Sequence, residues 1–270
     1  MERPQTGSIA EQSGLVVVIG NTTTTMAVFS DGPEPMVERM PSNRLDGTDS
    51  TADAIREVVL RYGVPHQVAI CSVVPDIAAR CAALFESMLS VPVLIVGTGL
   101  NLPFRLDYGN SSSFGADRVA LCAWSQKLFP GQAHIAVDIG TAITFDVLDS
   151  KRNYVGGLIM PGLDMMAGAL HTRTAQLPLV KIDRTESLLG KSTGECIRSG
   201  IFWGAVSQIG GLIDEISSYL KRELGEGSVG VIATGGNSRL IAAELESIGV
   251  VDELAVARGS MLLLELNSSL

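Results

Sequence analysis

The sequence predicts an α/β protein built from two homologous domains, and three observations carry that expectation. The first is a phrase written twice. Residues 15–25 (LVVVIGNTTTT) and 135–144 (IAVDIGTAIT) are each a run of apolar, mostly β-branched residues, then glycine, then small hydroxyl residues. The second is that each phrase opens the same succession, strands with alternating apolar residues followed by segments of helical spacing. The third is bulk: 270 residues, 46% hydrophobic and only 18% charged, can bury two cores of ordinary size.

Residues 1–14 read as a flexible polar tail. The apolar run 15–19 is a strand, 23–29 a second and 36–40 a weaker third, with Asp31-Gly32-Pro33 as the turn between the last two. Helical spacing follows over 51–62, where Ala54, Ile55, Val58 and Val59 share a face and Gly63 marks the end. Then come a strand at 67–72, a helix at 75–89 and a strand at 91–96. The order restarts with strands at 135–138, 143–148 and 154–159 and a helical region from Gly162. A long helix over 194–224, a strand at 230–233, a helix at 238–247 and a last helix around 259–266 complete it. Hairpin-joined strands mixed with helical crossovers belong to the α/β class. The expected division is a tail (1–14), an N-terminal domain (15–115) and a C-terminal domain (116–270), with a ligand cleft between the domains.

A net charge of −9 without a Lys/Arg cluster excludes a nucleic-acid backbone as a natural partner. No apolar run approaches the roughly 20 residues of a membrane helix, and the N-terminus lacks the apolar centre of a secretion signal. The expectation is a cytoplasmic protein with no membrane partner. Cys71, Cys81, Cys122 and Cys196 are scattered without a CxxC or Cys/His pattern and read as buried small hydrophobes. His66 and His134 read as loop residues; neither they nor His171 suggest a catalytic triad.

A strand that ends in glycine followed by Ser/Thr presents backbone N–H groups and hydroxyls at its tip, which is what a phosphate oxygen needs. Gly20, Asn21 and Thr22 make one such tip, and Gly140 and Thr141 another. Thr234-Gly235-Gly236-Asn237 makes a third between strand and helix. Asp138 precedes Gly140 by two residues, and a carboxylate at the end of an apolar strand calls for a cation or a donated proton. Hairpin glycines with a capping acid would look the same singly; the repetition favours phosphate binding.

Several longer segments then occur in order: SVVP at 72–75, FGADR at 114–118, VDIGTAITFD at 137–146, GGLIMPG at 156–162, LHTRTAQLP at 170–178, GKSTGECIRSG at 190–200 and ATGGN at 233–237. Together they resemble the type III pantothenate kinases of the acetate and sugar kinase/Hsp70/actin superfamily. The resemblance covers nearly all of the chain after residue 14. It implies two duplicated ribonuclease H-like (actin-like ATPase) domains and transfer of the ATP γ-phosphate to the primary hydroxyl of pantothenate, the first step of coenzyme A biosynthesis. It implies Asp117 as general base, Gly115, Arg118 and Tyr108 as acceptor-binding residues, and Thr193 reaching the acceptor across a dimer interface. It further implies Gly20, Asn21, Thr22, Gly140 and Thr141 at the phosphates, Gly235 and Gly236 on the adenosine side, and Asp138 at a monovalent cation, K⁺ or NH₄⁺. ATP with Mg²⁺ is the implied cofactor set, and a homodimer with shared sites, joined by helices of the C-terminal domain, the implied assembly.

Two positions depart from the family pattern. Its first motif reads Asp-x-Gly-Asn-Thr, whereas this chain has Val18-Ile19-Gly20-Asn21-Thr22, and Ser111 stands where the family usually has proline. A first-loop acid helps hold the nucleotide's Mg²⁺; losing one such electrostatic contributor costs on the order of 100-fold or more in rate. Three expectations follow: a pantothenate kinase of altered metal ligation, a kinase of the same fold for another hydroxyl acceptor, or a regulatory pseudokinase.

Overall fold

A computed structural model describes residues 13–268, which fall into two compact units. The first takes residues 13–102, 110–123 and 256–268; the second takes 103–109 and 124–255. The C-terminal helix thus packs with the first unit, where a contiguous cut after 115 would assign it to the second. Residues 1–12 of the expected tail lie outside the described residues. Ser13 and Gly14, also assigned to that tail, are buried: the Ser13 carbonyl accepts from His66 N–H at 2.9 Å, and Gly14 already belongs to the first strand.

In the first unit, β1 (Gly14–Ile19), β2 (Thr23–Phe29) and β3 (Met36–Pro41) form an antiparallel meander. Helix α1 (Thr48–Tyr62), β4 (Gln67–Ser72), α2 (Pro75–Leu89) and β5 (Val93–Ile95) follow, giving the order β3-β2-β1-β4-β5 with β1 parallel to β4. Strand alternation splits β1 between two cores. Leu15, Val17 and Ile19 pack with Ile55 and Val58 of α1 and Ile77, Cys81 and Phe85 of α2. Val16 points the other way, into a cluster with Ala27, Ala69, Ala257 and Leu264, and Val18 packs against that cluster.

A helix that the sequence analysis does not anticipate, α3 (Ala116–Leu128), runs from the first unit into the second. Residues 119–123, VALCA, are all at most 1% exposed. A helix segment apolar all round carries no polar face and therefore no 3.6-residue signature.

The second unit repeats the topology with β6 (Ala133–Ile139), β7 (Ala142–Leu148) and β8 (Tyr154–Pro161), then α4 (Leu163–Arg173), α5 (Thr193–Leu224), β9 (Val229–Thr234), the short α6 (Ser238–Ala242) and β10 (Val250–Val251). Its sheet runs β10-β9-β6-β7-β8. Ile135, Val137, Ile139 and Phe145 meet Phe202, Ile209 and Ile213 of α5. The 32-residue α5 starts on Ser192, whose hydroxyl accepts from Glu195 N–H at 3.3 Å, and stops on Gly225 at φ 69°. Helix α7 (Ala255–Asn267) returns the chain to the first unit, where Gly259 lies so close to the backbone of Ala120 that any side chain would collide with it.

Two further expectations are corrected. His134 is a fully buried strand residue, because β6 begins two residues earlier than its β-branched run. Cys196 is exposed near the start of α5, unlike the other three cysteines.

Candidate functional site

In the second unit, the turn after β6 is braced from two directions. Gly140 N–H donates to Ala142 O at 3.0 Å, and Gly162 N–H to Thr141 O at 3.0 Å. Gly162 touches this turn so closely that a Cβ would sit 2.8 Å from the Thr141 carbonyl carbon. From the β9 side, Asn237 N–H donates to Ile139 O at 3.0 Å, and Ser238 Oγ to Gly235 O at 2.7 Å. Gly235 has φ 91°, and a Cβ there would meet Asp138 Oδ1 and lie 2.6 Å from the Ile139 carbonyl carbon. Glycine is required by both backbone conformation and space. Asp138, Gly140, Thr141 and Gly235 are therefore brought together, with Gly236 exposed beside them.

Asp138 stands opposite Thr234 of β9 and Thr144 of β7, so a threonine flanks it on either side. On the same face of β7, two residues beyond Thr144, the fully buried Asp146 accepts from Tyr154 Oη at 3.0 Å. A carboxylate flanked by two threonines offers oxygen donors only, which suit a hard cation. Among the described residues no group of three or more His, Cys, Asp or Glu is placed to hold a metal ion.

Tyr108 belongs to this unit but to another part of it. Its segment is tied down where Arg105 N–H donates to Arg152 O at 2.8 Å and Tyr154 N–H to Arg105 O at 2.9 Å. The Tyr108 ring meets Tyr154 edge-on at 6.0 Å. Thr193 is the exposed first residue of α5, beside Gly190, where a Cβ would lie 2.7 Å from Glu195 Cβ.

In the first unit, the turn after β1 is longer. Ile19 pairs with Thr24, leaving Gly20, Asn21, Thr22 and Thr23 in the turn, whereas Ile139 pairs with Ile143 and leaves only Gly140, Thr141 and Ala142. Ser42 holds the first turn from beneath: its hydroxyl donates to Gly20 O at 2.7 Å and lies 3.0 Å from Thr24 Oγ1, and its N–H donates to Thr22 O at 2.9 Å. Asn21, Thr22 and Thr23 are exposed above it.

The same unit holds Gly115, Asp117 and Arg118 at the start of α3. Val119 N–H donates to Gly115 O at 3.0 Å, and a Cβ on Gly115 would collide with Asp117 Oδ1, so glycine leaves room for the carboxylate. Burial pushes the Asp117 carboxyl above the usual aspartate range, while Arg118 opposes the shift through its backbone N–H, 2.8 Å from Oδ1, and its charge. A carboxylate tuned upward is suited to accept a proton. Arg118 is 7% exposed, with its guanidinium carbon 4.3 Å from the Phe114 ring centre, an arrangement that fixes the side chain.

Sequence reasoning did not single out Ser42 or Thr144. Ser42 is far from its turn in sequence and carried no signal. Thr144 meets Asp138 only through the register of β7 against β6, which depends on the length of the turn.

A family model described as type III pantothenate kinase matches residues 14–215. The chain is 59% identical over 253 residues to a type III pantothenate kinase of Chlorobaculum tepidum, covering 94% of both chains. It is 60% identical over 254 residues to one of Chlorobaculum parvum, covering 94% of this chain and 95% of that one. Among solved structures, component A of the (R)-2-hydroxyglutaryl-CoA dehydratase of Acidaminococcus fermentans superposes with a TM-score of 0.54 at 14% identity, over 96% of this chain and 99% of that one. The latter likeness concerns the fold alone. With a model match over most of its length and relatives of this identity, the chain belongs to the type III pantothenate kinase family.

Proposed function

We propose that the protein transfers the γ-phosphate of ATP to the primary hydroxyl of pantothenate, in the cytoplasm, opening coenzyme A biosynthesis. Family membership at 59–60% identity over 94% of the chain carries the reading. In this reading Asp117 takes the hydroxyl proton as that oxygen forms its bond to the γ-phosphorus and the bond from phosphorus to the β,γ-bridging oxygen breaks, releasing ADP. The raised Asp117 pKa supports the role. Arg118, held by Phe114, pairs with the pantothenate carboxylate, and Gly115, Tyr108 and Thr193 complete the acceptor contacts. Gly20, Asn21, Thr22, Gly140 and Thr141 present N–H groups and hydroxyls to the phosphates, with Gly235 and Gly236 toward the adenosine. Mg²⁺ bound with the nucleotide neutralises phosphate charge, and Asp138 holds a monovalent cation, K⁺ or NH₄⁺.

The proposed assembly is a homodimer. An open cavity of about 610 Å³ lies among Met160, Pro161, Met166 and Leu212, and Ile159 and Met165 are 64% and 50% exposed. The exposed apolar side chains beside this cavity support a contact with a second copy. Sedimentation of wild type and Leu212→Arg tests it, with a dimer expected for the first and a monomer for the second. Among the described residues no helix is long and apolar enough to cross a membrane.

The direct test is ADP release and phosphopantothenate formation by the purified protein with ATP, Mg²⁺ and K⁺. Turnover that requires pantothenate is expected; ADP release independent of pantothenate would count against it.

A further inference from the structure

Resting on the cation reading of Asp138, we propose that Thr144 is a second protein ligand of that monovalent cation, binding it through Oγ1. Thr144 sits directly opposite Asp138 in the β6–β7 register, so both side chains leave the same face of the sheet. Opposed Cβ atoms in an antiparallel pair lie roughly 4.5–5.5 Å apart, a spacing at which two short oxygen-bearing side chains reach one ion. The Thr144 hydroxyl is buried and has no hydrogen-bond partner among the described residues. Leaving such a group unsatisfied is unfavourable. Valine has the same shape and serves a strand equally well, so packing alone gives no reason for the hydroxyl.

Charge favours a monovalent ion. One carboxylate and one neutral hydroxyl balance a single positive charge, whereas a divalent ion held by protein alone draws on several acidic ligands. The first unit provides an internal contrast: Thr25 occupies the corresponding place on β2, but its partner across the pair is Val18, which offers no carboxylate. The cation pair is thus a property of the second sheet only.

The test is a potassium titration read by thermal unfolding, at constant ionic strength with choline as the replacing ion and with a saturating non-hydrolysable ATP analogue. Wild type, Thr144→Val, Thr144→Ala, Thr144→Ser and Asp138→Asn are compared. The expected result is a potassium midpoint raised on the order of 10-fold in Thr144→Val and Thr144→Ala, a midpoint near wild type in Thr144→Ser, and no potassium response in Asp138→Asn. If both hydroxyl-free variants keep the wild-type midpoint while Asp138→Asn loses the response, Thr144 is not a ligand, although the cation reading stands. If Asp138→Asn responds like wild type, or wild type does not respond, that reading fails and Thr144 fails with it.

Discussion

The two sheets carry opposite chemistry on corresponding rows. Across the first unit the row reads Cys71, Val18, Thr25, Arg39; across the second it reads Thr234, Asp138, Thr144, Ile159. One row further in, Ala69, Val16, Ala27 and Val37 face Ala257 and Leu264 of α7. The matching place on β7 holds Asp146, bonded to the Tyr154 hydroxyl. The duplication has kept the backbone, including a glycine turn in each unit, and concentrated the electrostatics of the repeated strand in one copy. Val18 has a structural occupation: it extends an apolar face that the C-terminal helix covers. A carboxylate there would abut the same cluster.

This contrast can be challenged in order of expected effect. The largest concerns the first unit and its proposed base, Asp117. Asp117→Asn is expected to lower kcat by about 10²–10⁴-fold without lowering the melting temperature. Because burial raises the carboxyl's pKa, folding favours its protonated form, and stability from this group is lost, not gained, as pH rises through the raised value. For the same reason the wild-type rate should fall on acidification at a pH above the ordinary aspartate range, and an acid limb at the ordinary value would remove Asp117 as the base.

The glycine turns should respond unequally. Gly235→Ala should lose about 1–3 kcal/mol to backbone strain and a similar amount to overpacking against Asp138 and Ile139. Gly20→Ala meets only Thr23 O at 3.1 Å and should lose less than about 1 kcal/mol. Denaturant unfolding reads the difference; equal losses would erase the distinction between a braced second turn and a more open first one.

The smallest effect is in the core of the second unit. Burial lowers the His134 pKa, opposed by its bond to the Gln132 carbonyl and by Asp149. As pH falls through the ordinary histidine range the unfolded chain takes the proton first, so stability should decline until the lowered folded-state value is passed. His134→Gln should flatten that slope, and an unchanged slope would assign it to other groups.

Much of this contrast was legible in the sequence. The twice-written glycine phrase located both turns, and Val18 against Asp138 was visible as a difference between them. The pairing of Asp138 with Thr144 was not legible, because register follows turn length. With a turn as long as the first, Asp138 would have met Phe145 instead. Helix α3, which carries Asp117 and Arg118, escaped notice because residues 119–123 are apolar on every side. Nothing local in the last helix said that Ala257 and Leu264 would meet the first sheet. Such long-range partners are decided by packing between distant segments.

The central claim is that Val18 serves packing and that the cation-holding electrostatics lie on the second sheet. Pantothenate-dependent turnover and melting temperature, measured together for wild type and Val18→Asp, test it most directly. The account expects turnover in wild type, with Val18→Asp destabilised by about 1–3 kcal/mol as a polar group meets the apolar face of α7, and no faster. A silent wild type that gains turnover on Val18→Asp would contradict it.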